Sequence, residues 1–257
     1  MSGGAPSEEP TFAVGAGHLG RTEREWAASG PLHRLKALTV PDRHHAVVVA
    51  PHPDDEVLGA GGLLQLLAER HVAVDVCAVT DGEASWGPLD DRDADDLRRV
   101  RTAESEEAIG RLGLDPAQRF RLGVADGRVA EEEDALADWL AARVTPQSLV
   151  LAPWTGDGHP DHDAAGDVAR RVAAAAGAPC VHYLVWVWHW ADPAGTEVPW
   201  ASCRRLVLSR RQTARKRWAT ASFRSQTRVP TPTAGGLPVL PPPILRRFWR
   251  TWEIFVE

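Results

Sequence analysis

Methionine and tyrosine occur once each in 257 residues, and cysteine only three times. Cys77, Cys180 and Cys203 are an odd number with no close pair. They form neither a disulfide framework nor a Cys-x-x-Cys zinc or redox motif. No apolar run approaches the roughly 20 residues that a membrane helix needs, so no membrane span is expected. The first residues, MSGGAPSEEP, are small, polar and acidic rather than a basic-then-apolar leader, and the expected location is cytoplasmic. Positive charge is not in excess: 29 Lys and Arg face 35 Asp and Glu, for a net charge of −6. A domain built to hold nucleic acid carries a basic face, so nucleic acid is not an expected partner. Only the stretch from Arg204 to Arg228 is locally basic. Three hydrolase and nucleotide signatures are also missing: Gly-x-Ser-x-Gly, His-Glu-x-x-His, and a phosphate loop ending in Gly-Lys-Ser/Thr.

The remaining composition is that of a globular protein, 44% hydrophobic and 25% charged. Eleven tryptophans read first as core and pocket wall, because indole is large and amphipathic. Residues 22–38 carry Trp26, Leu32, Leu35 and Leu38 in an irregular helical pattern broken at Pro31. Residues 46–50 (AVVVA) are a continuous β-branched run, the mark of a strand buried on both faces. Residues 58–70 predict a helix, 71–80 a second strand, 81–96 mostly loop, and 97–112 a helix stopped by Gly113. Strands are expected at 119–122, 148–152, 180–188 and 205–208. Helices are expected at 131–144, 163–176 and 209–222, the last with Ala214, Trp218 and Ala221 on one face. Residues 230–243 read as a proline-rich loop, and 244–257 as helical at first. Strands alternating with helices predict an α/β fold. The expected form is three-layer α/β/α and Rossmann-like, with a mostly parallel sheet.

Two turns carry chemistry. Pro51-His52-Pro53-Asp54-Asp55-Glu56 follows the first strand directly, where the carboxyl ends of parallel strands open into a binding crevice. His52 and Asp55, three apart, can grip one ion, and imidazole with carboxylate suits zinc or another divalent transition metal. Gly158-His159-Pro160-Asp161-His162 follows the strand at 148–152, on the same sheet edge. Each turn has a plainer reading as a helix start, since Asp and Glu cap helices and favour their first turn, with Asp161 or Asp163 as the capping residue of the second. Two His-Pro-Asp turns at equivalent strand ends are harder to explain that way. Together they offer the three ligands and open position of a catalytic zinc site.

The paired motifs resemble those of the LmbE-like (PIG-L) family of zinc-dependent N-deacetylases. The resemblance extends to Thr80-Asp81-Gly82-Glu83, to Arg101-x-x-Glu104 with Leu112-Gly113, to Leu122-Gly123 with Asp126-Gly127, and to Lys216 with Ser225-Gln226. It implies a single deacetylase domain over residues 45–257, preceded by a mobile tail (1–10) and a helical extension (11–44). It further implies that His52, Asp55 and His162 hold zinc, that Asp54 is the general base, and that His159 polarises the amide carbonyl or stabilises the oxyanion. Asp161 would orient a histidine. The implied substrate is a small N-acylated amino-sugar conjugate, with acetyl the expected acyl group. One departure is that some sugar-deacetylating relatives have a tyrosine two residues before the first histidine of the second motif. Here that position is Asp157, and the single tyrosine, Tyr183, is elsewhere.

By resemblance, Arg101 and Asp126 are candidates for sugar contacts; the plainer alternative is an ion pair or turn. Strand alternation puts Trp186, Trp188 and Trp190 on one face. Trp186 is expected in the core, with Trp188, His189 and Trp190 nearer the carboxyl end as pocket wall, and Trp154 as a further wall candidate. Arg211, Arg215 and Arg217 read as a solvated helix face, with recognition of an anionic aglycone as the minority reading. Two rival functions remain. Gly59-Ala60-Gly61 with Asp81 faintly suggests a dinucleotide site, but Leu64 stands at the third glycine position. A non-catalytic metal- or sugar-binding module would have no need of Asp54.

Overall fold

The apolar run at 46–50 lies at the heart of the sheet. The strand β2 (His45–Ala50) is buried from Ala46 onward. Val47 and Val49 face one hydrophobic cluster, while Ala46, Val48 and Ala50 face the other. The computed structural model describes residues 20–87, 89–228 and 238–257. The tail at 1–10 and most of the proline-rich stretch at 230–243 lie outside them. The other strands are β1 (Lys36–Ala37), β3 (Ala73–Thr80), β4 (Arg119–Val124), β5 (Ser148–Pro153), β6 (Cys180–Tyr183), β7 (Cys203–Val207) and β8 (Trp252–Val256). They form one eight-stranded sheet in the order β1-β7-β8-β6-β5-β2-β3-β4. Every pairing is parallel except those of β8, which runs antiparallel to both β6 and β7.

The helices are α1 (Glu23–Ala27), α2 (Gly30–His33), α3 (Asp55–Glu69), α4 (Asp91–Leu112), α5 (Glu133–Ala141), α6 (Pro160–Ala176), α7 (Val187–Trp190), α8 (Arg210–Thr220), α9 (Arg224–Thr227) and α10 (Pro242–Phe248). Leu136 and Leu140 of α5 pack with Ala165 and Val168 of α6 on one sheet face. Leu63, Leu64 and Leu67 of α3 pack on the other with Ile109 of α4, Ala219 of α8 and Ile244 of α10. The fold is therefore the three-layer α/β/α arrangement expected from the alternation. Among the described residues no helix is long and apolar enough to cross a membrane.

The departures have local causes. The pattern at 22–38 splits into α1, α2 and the short strand β1, which pairs with β7. Helix α4 starts at Asp91, inside the expected loop, because the Asp90 side chain caps it by accepting from Asp93 N. The polar residues that resembled a loop are its solvent face. The strand expected at 180–188 ends at Tyr183, and Val187–Trp190 is a helical turn. The Asp157 carboxylate, from the loop after β5, takes the backbone N–H groups there. On α8 the buried face carries Ala219, whereas Trp218 is 56% exposed and lies beneath the Arg111 guanidinium. Arg215 of the same helix bonds Arg111 O and Arg217 lies over Trp249, so neither is simply solvated.

The largest departure is β8, which a helical reading of residues 244 onward obscures. It enters the sheet between β6 and β7 and brings Glu253 inside. That carboxylate accepts from Lys216 Nζ at 2.6 Å, Gly62 N at 2.6 Å and Leu63 N at 3.0 Å. Lys216 and Glu253 are both buried, so this ion pair ties α8, α3 and β8 together. Gly62 permits the approach: a Cβ there would lie 2.3 Å from Leu208 Cδ2 and 3.0 Å from Glu253 Oε2. Removing one partner leaves a buried charge uncompensated. Glu253→Ala should therefore cost roughly 3–5 kcal/mol in urea unfolding, and Lys216→Met in a Glu253→Gln background should regain much of it. A loss below about 1 kcal/mol, the scale of an exposed pair, would show that the pair does not hold these elements together.

Candidate metal centre and active site

β2 and β5 are adjacent and parallel, and the chain leaves them in opposite directions. β2 continues through α3 to β3 on one side, and β5 continues through α6 to β6 on the other. A crevice opens at the carboxyl ends of strands at such a crossover. Both His-Pro-Asp turns sit there. Residues 51–54 lead from β2 into α3, whose first residue is Asp55. Residues 154–159 lead from β5 into α6, whose first turn carries Asp161 and His162.

His52, Asp55 and His162 converge. His52 Nδ1 is 3.0 Å from Asp55 Oδ2, His162 Nε2 is 3.1 Å from the same oxygen, and the two nitrogens are 3.3 Å apart. Ligands bonded at 2.0–2.1 Å around a tetrahedral zinc stand about 3.3 Å from one another, so this triangle fits one face of such a centre. His52, His159 and Asp161 also come close enough to be considered. That trio is otherwise engaged: His159 Nδ1 accepts from Asp161 N at 3.2 Å, and Asp161 accepts from Gly127 N and Val129 N. The first trio is the better donor set.

Around it, each outer partner has one identifiable task. His162 Nδ1 donates to Asp157 Oδ2 at 2.7 Å, which leaves Nε2 directed at the cluster. Asp157 is fully buried and also accepts from the backbone N–H groups of Val185, Trp186 and Val187. His52 Nε2 faces Asp126 Oδ1 at 3.2 Å and Asp161 Oδ2 at 3.4 Å. Both carboxylates thus lie against a proposed ligand. Asp126 also accepts from Ala84 N, so it stands beside the cluster with one backbone donor fixing it.

Asp54 occupies the N-cap position of α3, yet its side chain makes no capping bond. It is buried, and its Oδ2 receives Arg101 Nη2 at 3.2 Å. The helix-start reading therefore does not account for it. Arg101 is 4% exposed and gives Nη1 to Gly82 O at 2.6 Å. It thus backs Asp54 at the edge of the cluster. In the second turn the N-cap is His159, through its ring nitrogen, and not either aspartate. Glu56 turns away from the cluster; Ser105 Oγ donates to it at 3.3 Å, and burial pushes its carboxyl up to about 8. Glu104 of α4 accepts from Ser225 N and Oγ, so one helix braces both Asp54 and α9.

Electrostatics separate the groups. Burial lowers the tendency of His162 to ionise, but Asp55 and Asp157 outweigh it and hold the imidazole near 9. His52 is raised well above its ordinary value in the same way, burial being overcome by Asp55, Asp126 and Asp161. Asp55 is held well below the carboxylate range: burial opposes ionisation, and His162 and His52 prevail. Burial lifts the Asp54 carboxyl, with Arg101 opposing. His159 is pushed down to about 3 by burial and by the two neighbouring imidazoles, and is neutral.

The tryptophans exchange places relative to expectation. Trp188 is buried and packs edge-on against Trp26 at 5.1 Å and Trp252 at 6.0 Å, away from the cluster. Trp186, expected in the core, packs on His159 at 5.5 Å. His189 stacks on Trp186 at 5.0 Å and meets Arg247 Nη1 at 2.9 Å, one residue removed from the histidines. Trp190 is 40% exposed, bonds Asp157 O and lies over Gly158. Trp154 is half-buried against Gly156. The strand reading produced this inversion, because a helical turn moves each side chain by about 100° rather than 180°. Asp157 was visible only as a missing tyrosine. Tyr183 is buried and donates to Val49 O. It also abuts Gly59, where a Cβ would lie 2.3 Å from its Cδ2. The glycines of α3 thus serve close helix-to-sheet packing, and the acids at its N-terminus disfavour a pyrophosphate.

An α/β/α sheet with a His/Asp cluster at its crossover defines the class of fold and site. Residues 47–173, just under half of the chain, match the family PIG-L, described as GlcNAc-PI de-N-acetylase. The chain is 30% identical over 135 residues to the probable N-acetyl-alpha-D-glucosaminyl L-malate deacetylase 2 of Bacillus subtilis (strain 168), covering 50% of this chain and 60% of that protein. It is 30% identical over 154 residues to the 1D-myo-inositol 2-acetamido-2-deoxy-alpha-D-glucopyranoside deacetylase of Corynebacterium diphtheriae, covering 50% and 52%. The chain thus spans between half and two thirds of the length of these curated relatives. Among solved structures, a conserved protein from Thermus thermophilus shares the fold, with a TM-score of 0.58, 24% identity and coverage of 84% and 94%.

Two outcomes follow from this geometry. Asp157→Asn should weaken zinc affinity about 10- to 100-fold, the usual effect of removing a histidine's outer partner, measured by chelator competition; unchanged affinity would remove Asp157 from the centre. The second concerns pH. With His162 raised to about 9, its contribution to the stability of chelator-stripped protein is complete below the unfolded value of about 6.5. That contribution is lost as pH rises through the folded value. The Tm of stripped protein should fall across that window while zinc affinity climbs, since ligating imidazoles must shed their protons. A flat Tm would contradict the raised imidazole.

Proposed function

We propose that the protein is a metal-dependent hydrolase that removes the N-acetyl group from a small N-acetylglucosaminyl conjugate. The observation that carries this reading is Asp54, a buried carboxylate with no capping task, placed beside a three-donor cluster and backed by Arg101. A binding module has no use for such a group. The family match and the names of the relatives support amide hydrolysis on an amino sugar.

His52, Asp55 and His162 would hold the ion, and zinc suits that set, though other divalent ions share it. Bound there, zinc polarises a carbonyl and brings the pKa of water to about 7. Asp54 accepts the proton of the attacking water. Burial raises its carboxyl, which favours taking up the proton, and Arg101 favours the ionised starting form. His159 takes the accompanying role. Because its Nδ1 accepts from Asp161 N, its proton sits on Nε2. A neutral imidazole of this kind donates a hydrogen bond to the developing oxyanion without giving up the proton. Asp54, having gained a proton, returns it to the departing nitrogen as the C–N bond breaks, which leaves acetate and a free amine. Trp186, packed on His159, offers a wall for the sugar ring.

Zinc-loaded protein should release primary amine from N-acetylglucosaminyl conjugates of malate or inositol. Asp54→Asn should lower turnover by about 10²- to 10⁴-fold with metal content unchanged. Near-normal turnover in that variant would refute the base. His159→Gln should lower kcat by about 10²- to 10³-fold with little change in metal content, and a variant that instead lost its metal would make His159 a ligand.

A further inference from the structure

Trp186 opens the turn into α7 and packs on two imidazoles, His159 at 5.5 Å and His189 at 5.0 Å. It is only half-buried, beside the metal centre. Behind His189 a chain of contacts leads away from the cluster. Arg247 of α10, 3% exposed, donates Nη1 to His189 Nδ1 at 2.9 Å and Nη2 to Arg21 O at 3.1 Å. Burial and the Arg247 charge push the His189 imidazole down to about 3, so the ring is neutral and serves the guanidinium as an acceptor. Gly20 sits directly on α7: its φ is 59°, and a Cβ there would lie 2.0 Å from His189 O. The Arg21 guanidinium bonds the carboxylate of Asp192, just beyond the same turn.

Helix α7 is four residues long, too short to hold an indole in one orientation through its own backbone bonds. A side chain at a binding site keeps its geometry when packing and hydrogen bonds behind it lock its rotamer. Gly20, Arg21, Trp186, His189 and Arg247 all lie outside residues 47–173, the stretch that matches the family. We propose that Gly20–Arg21, Arg247 and His189 form a brace that positions Trp186 as the platform for the apolar face of the substrate's pyranose ring, given the amino-sugar substrate proposed for the metal centre. The N-terminal extension and α10 thereby take part in selecting the substrate, and His189 and Arg247 are positioning residues.

The test uses the zinc-loaded full chain and Gly20→Ala, which alters no residue of the metal centre and whose methyl group would displace residues 20–21 from α7. The readouts are KM and kcat for N-acetylglucosaminyl malate and the Trp186 indole N–H signal in ¹⁵N spectra, assigned by its loss in Trp186→Phe. Gly20→Ala should move that signal, raise KM about three- to tenfold and leave kcat within about twofold, the pattern of lost ground-state binding, with zinc content unchanged. His189→Phe keeps a ring on Trp186 but removes the acceptor of Arg247, and should act in the same direction. If it does not fold, Gly20→Ala decides alone. A brace that only held the fold together would lower Tm without moving KM. Unchanged KM, a fall in kcat at constant KM, or an unmoved Trp186 signal in Gly20→Ala would overturn the proposal. Catalysis and platform separate in the native protein, where added N-acetylglucosamine should shift the Trp186 signal. A shift without amine release would refute the hydrolase and leave the platform standing, with the Kd from that shift then read in place of KM. Release without a shift would do the reverse, and neither would overturn both.

Discussion

The buried Asp157 carboxylate is the contact on which most of the site depends. One oxygen takes the N–H groups of Val185 and Val187, and the other takes Trp186 N and His162 Nδ1. These four bonds have three consequences. They end β6 after Tyr183, since the following N–H groups no longer face a neighbouring strand. They hold His162 with Nε2 toward Asp55. They also start the turn that places Trp186 on His159. A single carboxylate therefore couples where the sheet stops to where the imidazoles point. A carboxylate accepting several backbone donors is held in a geometry that a water-bound group could not keep.

Helix α4 does comparable work from the other face. Arg101 reaches Asp54 and Gly82 O, Glu104 holds Ser225, and Ser105 meets both Glu56 and Arg119. Gly82 has a positive φ of 68°, and a Cβ there would lie 1.8 Å from Arg101 Nη1. The residue is glycine for two reasons, backbone conformation and the space the guanidinium occupies. The segments that looked like separate weak resemblances in the sequence are thus links of one bonded chain running from β3 through α4 to α9.

The alternation of apolar runs with helical patterns made the layers legible, because strands buried on both faces and helices with one apolar face leave different traces. The two His-Pro-Asp turns were legible for a related reason: their chemistry sits in consecutive residues next to a strand end. The elements that escaped did so where tertiary contacts override local pattern. Residues 185–190 are apolar but for His189, so nothing in their own sequence separates strand from turn; Asp157, nearly thirty residues earlier, decides. Residues 252–256 are preceded by a helix and contain a glutamate, which argues against a central strand until Lys216 is placed beside it. The partners of Arg101 and Asp126, Asp54 and His52, are not legible either, because a sequence does not reveal which charged side chains meet inside.

The place of β8 bears on how the chain folds during synthesis. β1 and β7 reach the rest of the sheet only through it, as the order β1-β7-β8-β6 requires. Residues 252–256 follow every other strand along the chain. A nascent chain can therefore assemble β2 to β6 while β7 still has an unpaired edge and no neighbour in the main sheet. Exposed strand edges of this kind invite pairing with other chains. Until residue 256 emerges, β6 and β7 each keep an open edge, and the pairing of β8 with both, anchored by Glu253 on Lys216, closes them.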